Sequence, residues 1–141
     1  MLRKLPIHLV PIGRIRPSEC HDPKQAAVLA KMMRDKGVWH TPVMLERRSL
    51  TVMDGHHRLA AARLLELKFV PCVLLDYNQV EVNTARVGYL VTPQEIVRRA
   101  QMEDLYPPKT IRHLFSSPLP LCDLSLWLLE GREATENTKT G

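Results

Sequence analysis

Aromatic residues are scarce in this 141-residue chain: two Phe, three Tyr and two Trp make up 5% of it. A core built from such a sequence must rest on Leu, Val, Ile, Ala and Met. Cysteine is scarce as well. Cys20, Cys72 and Cys122 are odd in number, far apart, and form no CxxC pair, which argues against a disulfide framework and a cysteine-based structural zinc site. Cys72 lies in the apolar run FVPCVLL and is expected in the core; unpaired thiols fit a reducing cytoplasm. No stretch supplies the roughly 20 apolar residues that a membrane helix needs. The opening MLRKLPIHLVPIGRIRP lacks the long apolar region of a signal peptide, so a cytoplasmic protein without a membrane partner is expected. No internal repeat is apparent.

What is present is 45% hydrophobic and 25% charged, with a formal net charge of +5. That composition suits one compact domain with a real core. The basic balance suits an anionic partner such as a nucleotide, a phosphate or nucleic acid, although many ordinary proteins share it.

Along the chain, residues 7–10 (IHLV) read as a strand ended by Pro11 and Gly13. Asp22-Pro23 opens a helix with Asp22 as N-cap and Gln25 at the capping-box position. Ala27, Leu29, Ala30 and Met33 are its expected core face, and Gly37 its end. Residues 42–46 and 50–53 read as a hairpin around Arg47-Arg48-Ser49. A helix follows Gly55 to about Leu67, and Val70 to Leu75 reads as a buried strand. Residues 76–91 are less defined, with room for a helical turn and a strand. Thr92-Pro93-Gln94-Glu95 is a capping box, with Glu95 reaching back, for a helix ending near Leu105. Residues 123–130 read as a short apolar helix closed by Gly131, and the polar residues 132–141 as a disordered tail.

The stretch VMDGHHRLAAARLLE, from Val52 to Glu66, concentrates the chemistry. A hydrophobic run ends in Asp54-Gly55, then His56, His57 and Arg58 start a helix. A glycine turn there lets backbone N–H groups approach an anion, and the helix dipole favours negative charge. Arg58 adds a two-pronged donor for phosphate oxygens. A metal fits less well, because adjacent histidines diverge and helical ligand pairs are spaced at i, i+4. The plain alternative is a turn with solvated histidines.

Strand, D/G-G-x-H-R, then an Ala/Leu helix resembles the superfamily shared by sulfiredoxin and the N-terminal domain of chromosome-partitioning ParB proteins. Ile15-Arg16-Pro17, a helix, Gly37 and Pro42-Val43 match its opening; the likeness covers about residues 7–76. It implies an α+β fold, a small mixed sheet packed by helices, and a turn that binds nucleotide phosphates. In sulfiredoxin a reactive cysteine precedes the His-Arg pair. His56 stands there instead, so peroxiredoxin repair is not supported. DGHHR, with Arg16-Pro17-Ser18-Glu19 and Pro107-Pro108-Lys109-Thr110-Ile111-Arg112-His113, is similar to the free serine kinases over about residues 7–115. Those enzymes make O-phospho-L-serine from L-serine with ATP or ADP.

This narrower resemblance implies a division of labour. Glu19 matches the catalytic glutamate and would take the proton of the serine hydroxyl; by itself it is an ordinary loop carboxylate near the Asp22 cap. Gly55, His56, His57 and Arg58 would bind nucleotide phosphates, with His57 also stabilising transferred charge, and Asp54 would be the acid beside Mg2+. Thr110, Arg112 and His113 would hold the serine carboxylate, with Lys109 near the transferred phosphate. Trp39, His40 and Thr41 would add a pocket wall, whereas packing against the first helix is the plainer role for Trp39. Trp127 reads as core or an oligomer contact. The expected organisation is a single kinase domain over 1–131, with a nucleotide-binding core at about 7–76 and a substrate-binding part at about 77–131, as monomer or homodimer. The rival is a ParB-like nucleotide-binding regulator or DNA-binding protein without kinase activity. No clear helix-turn-helix follows residue 76, which makes DNA the weaker partner.

Overall fold

The computed structural model describes residues 5–116 and 118–131, so the expected tail at 132–141 lies outside the described residues. At its centre is a four-stranded sheet in the order β1-β5-β3-β4, formed by β1 (His8–Pro11), β3 (Val43–Glu46), β4 (Val52–Asp54) and β5 (Phe69–Leu75). β1 and β4 run antiparallel to their neighbours, while β3 and β5 are parallel. A parallel pair needs a crossover. Here β4 and helix α2 (His56–Leu64) supply it, which sets the start of α2 at the end of a strand.

Alternation along the strands sends side chains to two cores. Val43, Leu45, Val52, Val70 and Cys72 face helices α1 (Pro23–Lys36) and α2, meeting Ala30, Met33, Leu59, Ala61 and Ala62. Met44, Met53, Val73 and Leu75 face the other way, toward Val80, Tyr77 and Phe115. That second side is closed by an antiparallel ribbon of β6 (Val80–Thr84) and β7 (Ile111–Phe115), with helix α3 (Pro93–Met102) between them in sequence. A small pair, β2 (Val38–Trp39) with β8 (Leu124–Ser125), ties the C-terminal helix α4 (Leu126–Leu129) to the end of α1. The α+β class and the mixed sheet are as expected.

The cap signals hold. Asp22 accepts the N–H of Lys24 at 2.9 Å and Gly37 closes α1 with φ 70°. Thr92 accepts the N–H of Glu95 at 3.2 Å. The carboxylate of Glu95 does not reach back, however; it pairs with Arg98 and Arg99 at 2.6 and 3.2 Å.

Other differences are shifts of phase or of an end. Ala26, not Ala27, joins Ala30 and Met33 in the core, at i, i+4 and i+7. α2 stops at Leu64 and α3 at Met102, because Glu66 and Glu103 take left-handed φ values of 57° and 56°. The helix expected over 123–130 is halved: Leu124–Ser125 pair with β2, and only Leu126–Leu129 are helical. Trp127 is 46% exposed and is not a core residue.

Candidate active site

Gly55 is the pivot. It joins β4 to α2 with φ +115°, a conformation that side chains resist. A Cβ at this position would lie 3.0 Å from Val43 Cγ2 and 3.2 Å from the Arg58 guanidinium. Glycine is thus required by both backbone angle and space. The turn leaves the first N–H groups of α2 without a side-chain cap, and no acidic residue lies in its first turn. A donor-rich, electropositive helix start is the consequence.

The two histidines hold loops in place. His56 Nε2 accepts the backbone N–H groups of Ser18 and Glu19, each at 3.1 Å. His57 Nε2 accepts the N–H of Asp22 at 3.1 Å. An imidazole that accepts at Nε2 carries its proton on Nδ1. Burial, then the nearby His113, His57, His21 and Arg58, push the pKa of His56 down to about 3, so it stays the neutral acceptor the loop needs. The Nε2 of His56 is thus taken up by two loop N–H groups.

Arg58 sits about 200° around the helix from His56. It leans back over Gly55, 3.5 Å from Asp54 Oδ2 and 3.5 Å from the Pro42 carbonyl. Its Nε is buried with no hydrogen-bond partner among the described residues. Such an orphaned donor is costly, by about 1–3 kcal/mol, and is a place where an anion is welcome. A cleft of about 200 Å³ lined by Leu29, Trp39, His40, Thr41 and Arg58 opens on this side. Trp39 is fully buried in the helix-side core and donates its indole N–H to the Thr41 carbonyl at 2.6 Å. His40 is paired with Asp123.

Glu19 lies on the His56 side. Residues 16–20 thread between β4 and residue 106: Val52 donates to the Arg16 carbonyl at 2.9 Å, Ser18 Oγ to the Val52 carbonyl at 2.9 Å, and Cys20 N–H to the Tyr106 carbonyl at 2.8 Å. This brings the Glu19 carboxylate onto a backbone cradle, where it accepts the N–H groups of Lys109, Thr110 and Ile111 at 2.9, 3.3 and 3.0 Å. Lys109 has φ 59°, the left-handed step that makes successive N–H groups converge.

The remaining candidates divide. The Thr110 hydroxyl donates to the Pro107 carbonyl at 2.6 Å. Arg112 and His113, adjacent on β7, point to opposite faces of the ribbon. Arg112 is exposed, whereas His113 Nε2 lies 2.9 Å from the Tyr77 hydroxyl. Burial holds His113 down to about 4, against the raising effect of the Asp54 carboxylate. Asp54 itself is half exposed. The structure thus gathers Glu19, His56, His113, Asp54 and the cradle near the start of α2. Trp39, His40 and Thr41 sit with Arg58 in a cleft whose lining does not include Glu19.

Three participants were missed by sequence reasoning. Tyr77 meets His113, Arg86 donates from Nε to the Pro108 carbonyl at 3.0 Å, and the cradle is backbone. Backbone donors carry no residue signal at all.

The same arrangement of elements occurs in a solved structure. A free serine kinase in complex with AMP superposes with a TM-score of 0.81 over 90% of this chain and 95% of that one, at 15% identity. The fold is that of a free serine kinase. Sequence likeness is distant. A ParB-like protein of Sulfolobus acidocaldarius is 24% identical over 98 residues, covering 65% of this chain and 47% of that protein. The ADP-dependent L-serine kinase SerK of Thermococcus kodakarensis is 26% identical over 109 residues, covering 73% and 45%. The chain thus spans about half the length of these curated relatives. No family model matches it. Among the described residues, no helix is long and apolar enough to cross a membrane.

Proposed function

We propose that this chain is a free serine kinase, moving a phosphoryl group from ATP or ADP to the hydroxyl of L-serine to give O-phospho-L-serine. One observation carries the reading: His56 ties the N–H of Glu19, at 3.1 Å, to the start of the helix that presents anion-binding donors. A base and a phosphate site are thereby held in a fixed relation, and positioning of this kind is most of what phosphoryl transfer requires.

In this reading the helix start at Gly55–Arg58 takes the nucleotide phosphates, with Arg58 supplying charge and its orphaned Nε. The apolar cleft beside Arg58 gives room for the nucleoside. Glu19 takes the proton as the serine oxygen bonds to phosphorus; the bond to the donor's bridging oxygen breaks, and ADP or AMP leaves. His57 or Lys109 faces the charge on the group in flight. The parts are one nucleotide-binding unit and one substrate-binding unit of a single domain.

Magnesium fits in a limited way. Among the described residues no group of three or more His, Cys, Asp or Glu side chains forms a metal cage. Asp54, half exposed at the end of β4, would be the side chain that holds the ion, together with the nucleotide's phosphate oxygens. When bound, the ion neutralises phosphate charge.

The second reading, a ParB-like nucleotide-binding regulator, is favoured by the Sulfolobus relative. Proton-decoupled phosphorus spectra of protein, magnesium, L-serine and either ATP or ADP separate the two. A phosphoserine resonance is expected, and the donor that yields it is identified at once. Nucleotide bound without turnover would support the regulator instead, and nucleotide consumed without serine would mark a hydrolase. Glu19→Ala is expected to abolish phosphoserine formation while leaving nucleotide affinity nearly unchanged; loss of both would overturn the assignment of the base.

A further inference from the structure

The three-donor cradle at 109–111 is occupied by a carboxylate that, as a base, is needed elsewhere. Glu19 Oε1 accepts one N–H and Oε2 two, so both oxygens are engaged. A general base must turn at least one lone pair toward the substrate hydroxyl. The cradle itself is rigid. Pro107 and Pro108 restrict the backbone leading into it, and the Pro107 carbonyl accepts Thr110 Oγ at 2.6 Å. Arg86 Nε clamps the Pro108 carbonyl at 3.0 Å, and the Ala85 N–H holds the Thr110 carbonyl at 2.8 Å. Pairing of Thr84 with Ile111 continues the brace into the ribbon. A preformed set of convergent N–H groups does not collapse when its occupant leaves, and one of the three, that of Thr110, belongs to a fully buried residue, where an unpaired donor is penalised. Departure of Glu19 therefore leaves a site shaped for another carboxylate.

We propose that the N–H groups of Lys109, Thr110 and Ile111 are the site for the carboxylate of the amino-acid substrate, and that Glu19 is its internal stand-in until substrate arrives. The inference rests on the serine kinase reading for the identity of that carboxylate. Two carboxylates exchange on one cradle: the substrate's enters, the protein's is released, and the base is freed only when an amino acid is in place. The Ser18 and Glu19 N–H bonds to His56 keep the backbone of residue 19 in position, so a rotation of its side chain suffices. The device selects against acceptors that lack a carboxylate. It also keeps the base away from water when the acceptor site is empty, which suppresses idle hydrolysis of the nucleotide.

The test is a titration of the nucleotide-free full chain, following the 15N–1H resonances of Lys109, Thr110 and Ile111. Acetate, L-serine and ethanolamine are added in turn to the wild type, to Glu19→Ala and to Glu19→Gln. In Glu19→Ala, acetate and L-serine are expected to shift all three amides saturably, with acetate at least tenfold tighter than in the wild type. Ethanolamine is expected to leave them in place. Glu19→Gln keeps one acceptor oxygen and should fall between, and it serves if the alanine variant does not fold. Amides that ignore acetate in the variants, or respond equally in variants and wild type, would overturn the stand-in. Acetate binding without L-serine binding would overturn the substrate assignment while leaving the cradle. The acetate arm does not depend on kinase activity, so failure of the kinase reading shows separately, as absence of phosphoserine from the wild type.

Discussion

His56 Nε2 accepts the backbone N–H of Glu19 at 3.1 Å, across 37 positions of sequence. The same nitrogen takes the N–H of Ser18, so one imidazole satisfies two successive main-chain donors of the loop that carries Glu19. Replacing His56 with Ala leaves both donors without their partner, each at a cost of about 1–3 kcal/mol where water does not substitute. His56→Ala is expected to lower the urea midpoint and to reduce phosphoserine formation by loosening Glu19. His56→Gln, whose amide oxygen can accept in much the same place, should recover a large part of both. Equal loss in the two variants would show that the ring's packing, not its acceptor, matters.

The same bond makes stability depend on pH with a definite sign. Burial and neighbouring positive groups hold His56 at about 3, and burial holds His113 at about 4, both below the ordinary histidine value of 6.5. The folded chain keeps both rings neutral, while the unfolded chain takes up protons as pH falls through about 6.5. Their contribution is thus complete above that pH and is lost on acidification, toward about 4 for His113 and about 3 for His56. The slope is roughly 1.4 kcal/mol per pH unit for each histidine in this window. Urea midpoints between pH 7 and 4.5 should fall accordingly, and His56→Gln should show about half the dependence.

Part of this architecture is legible in the sequence. Asp22, Gly37 and Thr92 cap or close their helices because a cap is a local signal, made within three or four residues. Gly55 announces the turn before α2 because few other residues tolerate it. The grouping of Glu19 with 109–113 came from resemblance, and its geometry was invisible. The donors that meet Glu19 belong to the main chain, which is the same in every protein. The histidines have a role that their neighbours in sequence do not announce: both accept N–H groups of a loop, 37 and 35 positions away. Trp39 is hidden by its own versatility, since a scarce aromatic serves a core or a pocket equally well.

Arg58 is the residue whose loss should be felt in nucleotide affinity. Its side chain is only 23% exposed, and its guanidinium lies 3.5 Å from Asp54 and carries a buried Nε without a partner among the described residues. Hydrogen bonds to charged groups contribute about 1.5–3 kcal/mol, so Arg58→Ala is expected to weaken ADP or ATP binding roughly 10- to 100-fold by calorimetry. Lys at this position keeps charge but not the planar fork, and should restore only part of the affinity. The fold should survive, because the α2 residues Leu59, Ala61 and Ala62 make the contacts that hold this helix to the sheet. An unchanged affinity in Arg58→Ala would remove phosphate from the start of α2.

Gly55→Ala probes the turn without adding or removing a charge. The new methyl group meets Val43 Cγ2 at 3.0 Å and Cγ1 at 3.1 Å, in a backbone held at φ +115°. Val43 is fully buried in the middle strands of the sheet and has little freedom to yield. Strain of this kind costs of the order of 1–3 kcal/mol, and the first turn of α2 can relieve it only by rotating. Rotation moves the helix-start N–H groups and Arg58 off their line together, and it carries His56 away from residues 18–19. The variant is therefore expected to lose nucleotide affinity and turnover together, with a lower urea midpoint. Its far-ultraviolet circular dichroism should stay near that of the wild type, because the strands and the rest of α2 remain. A variant with lower stability but full nucleotide affinity would show that the anion site does not depend on this turn.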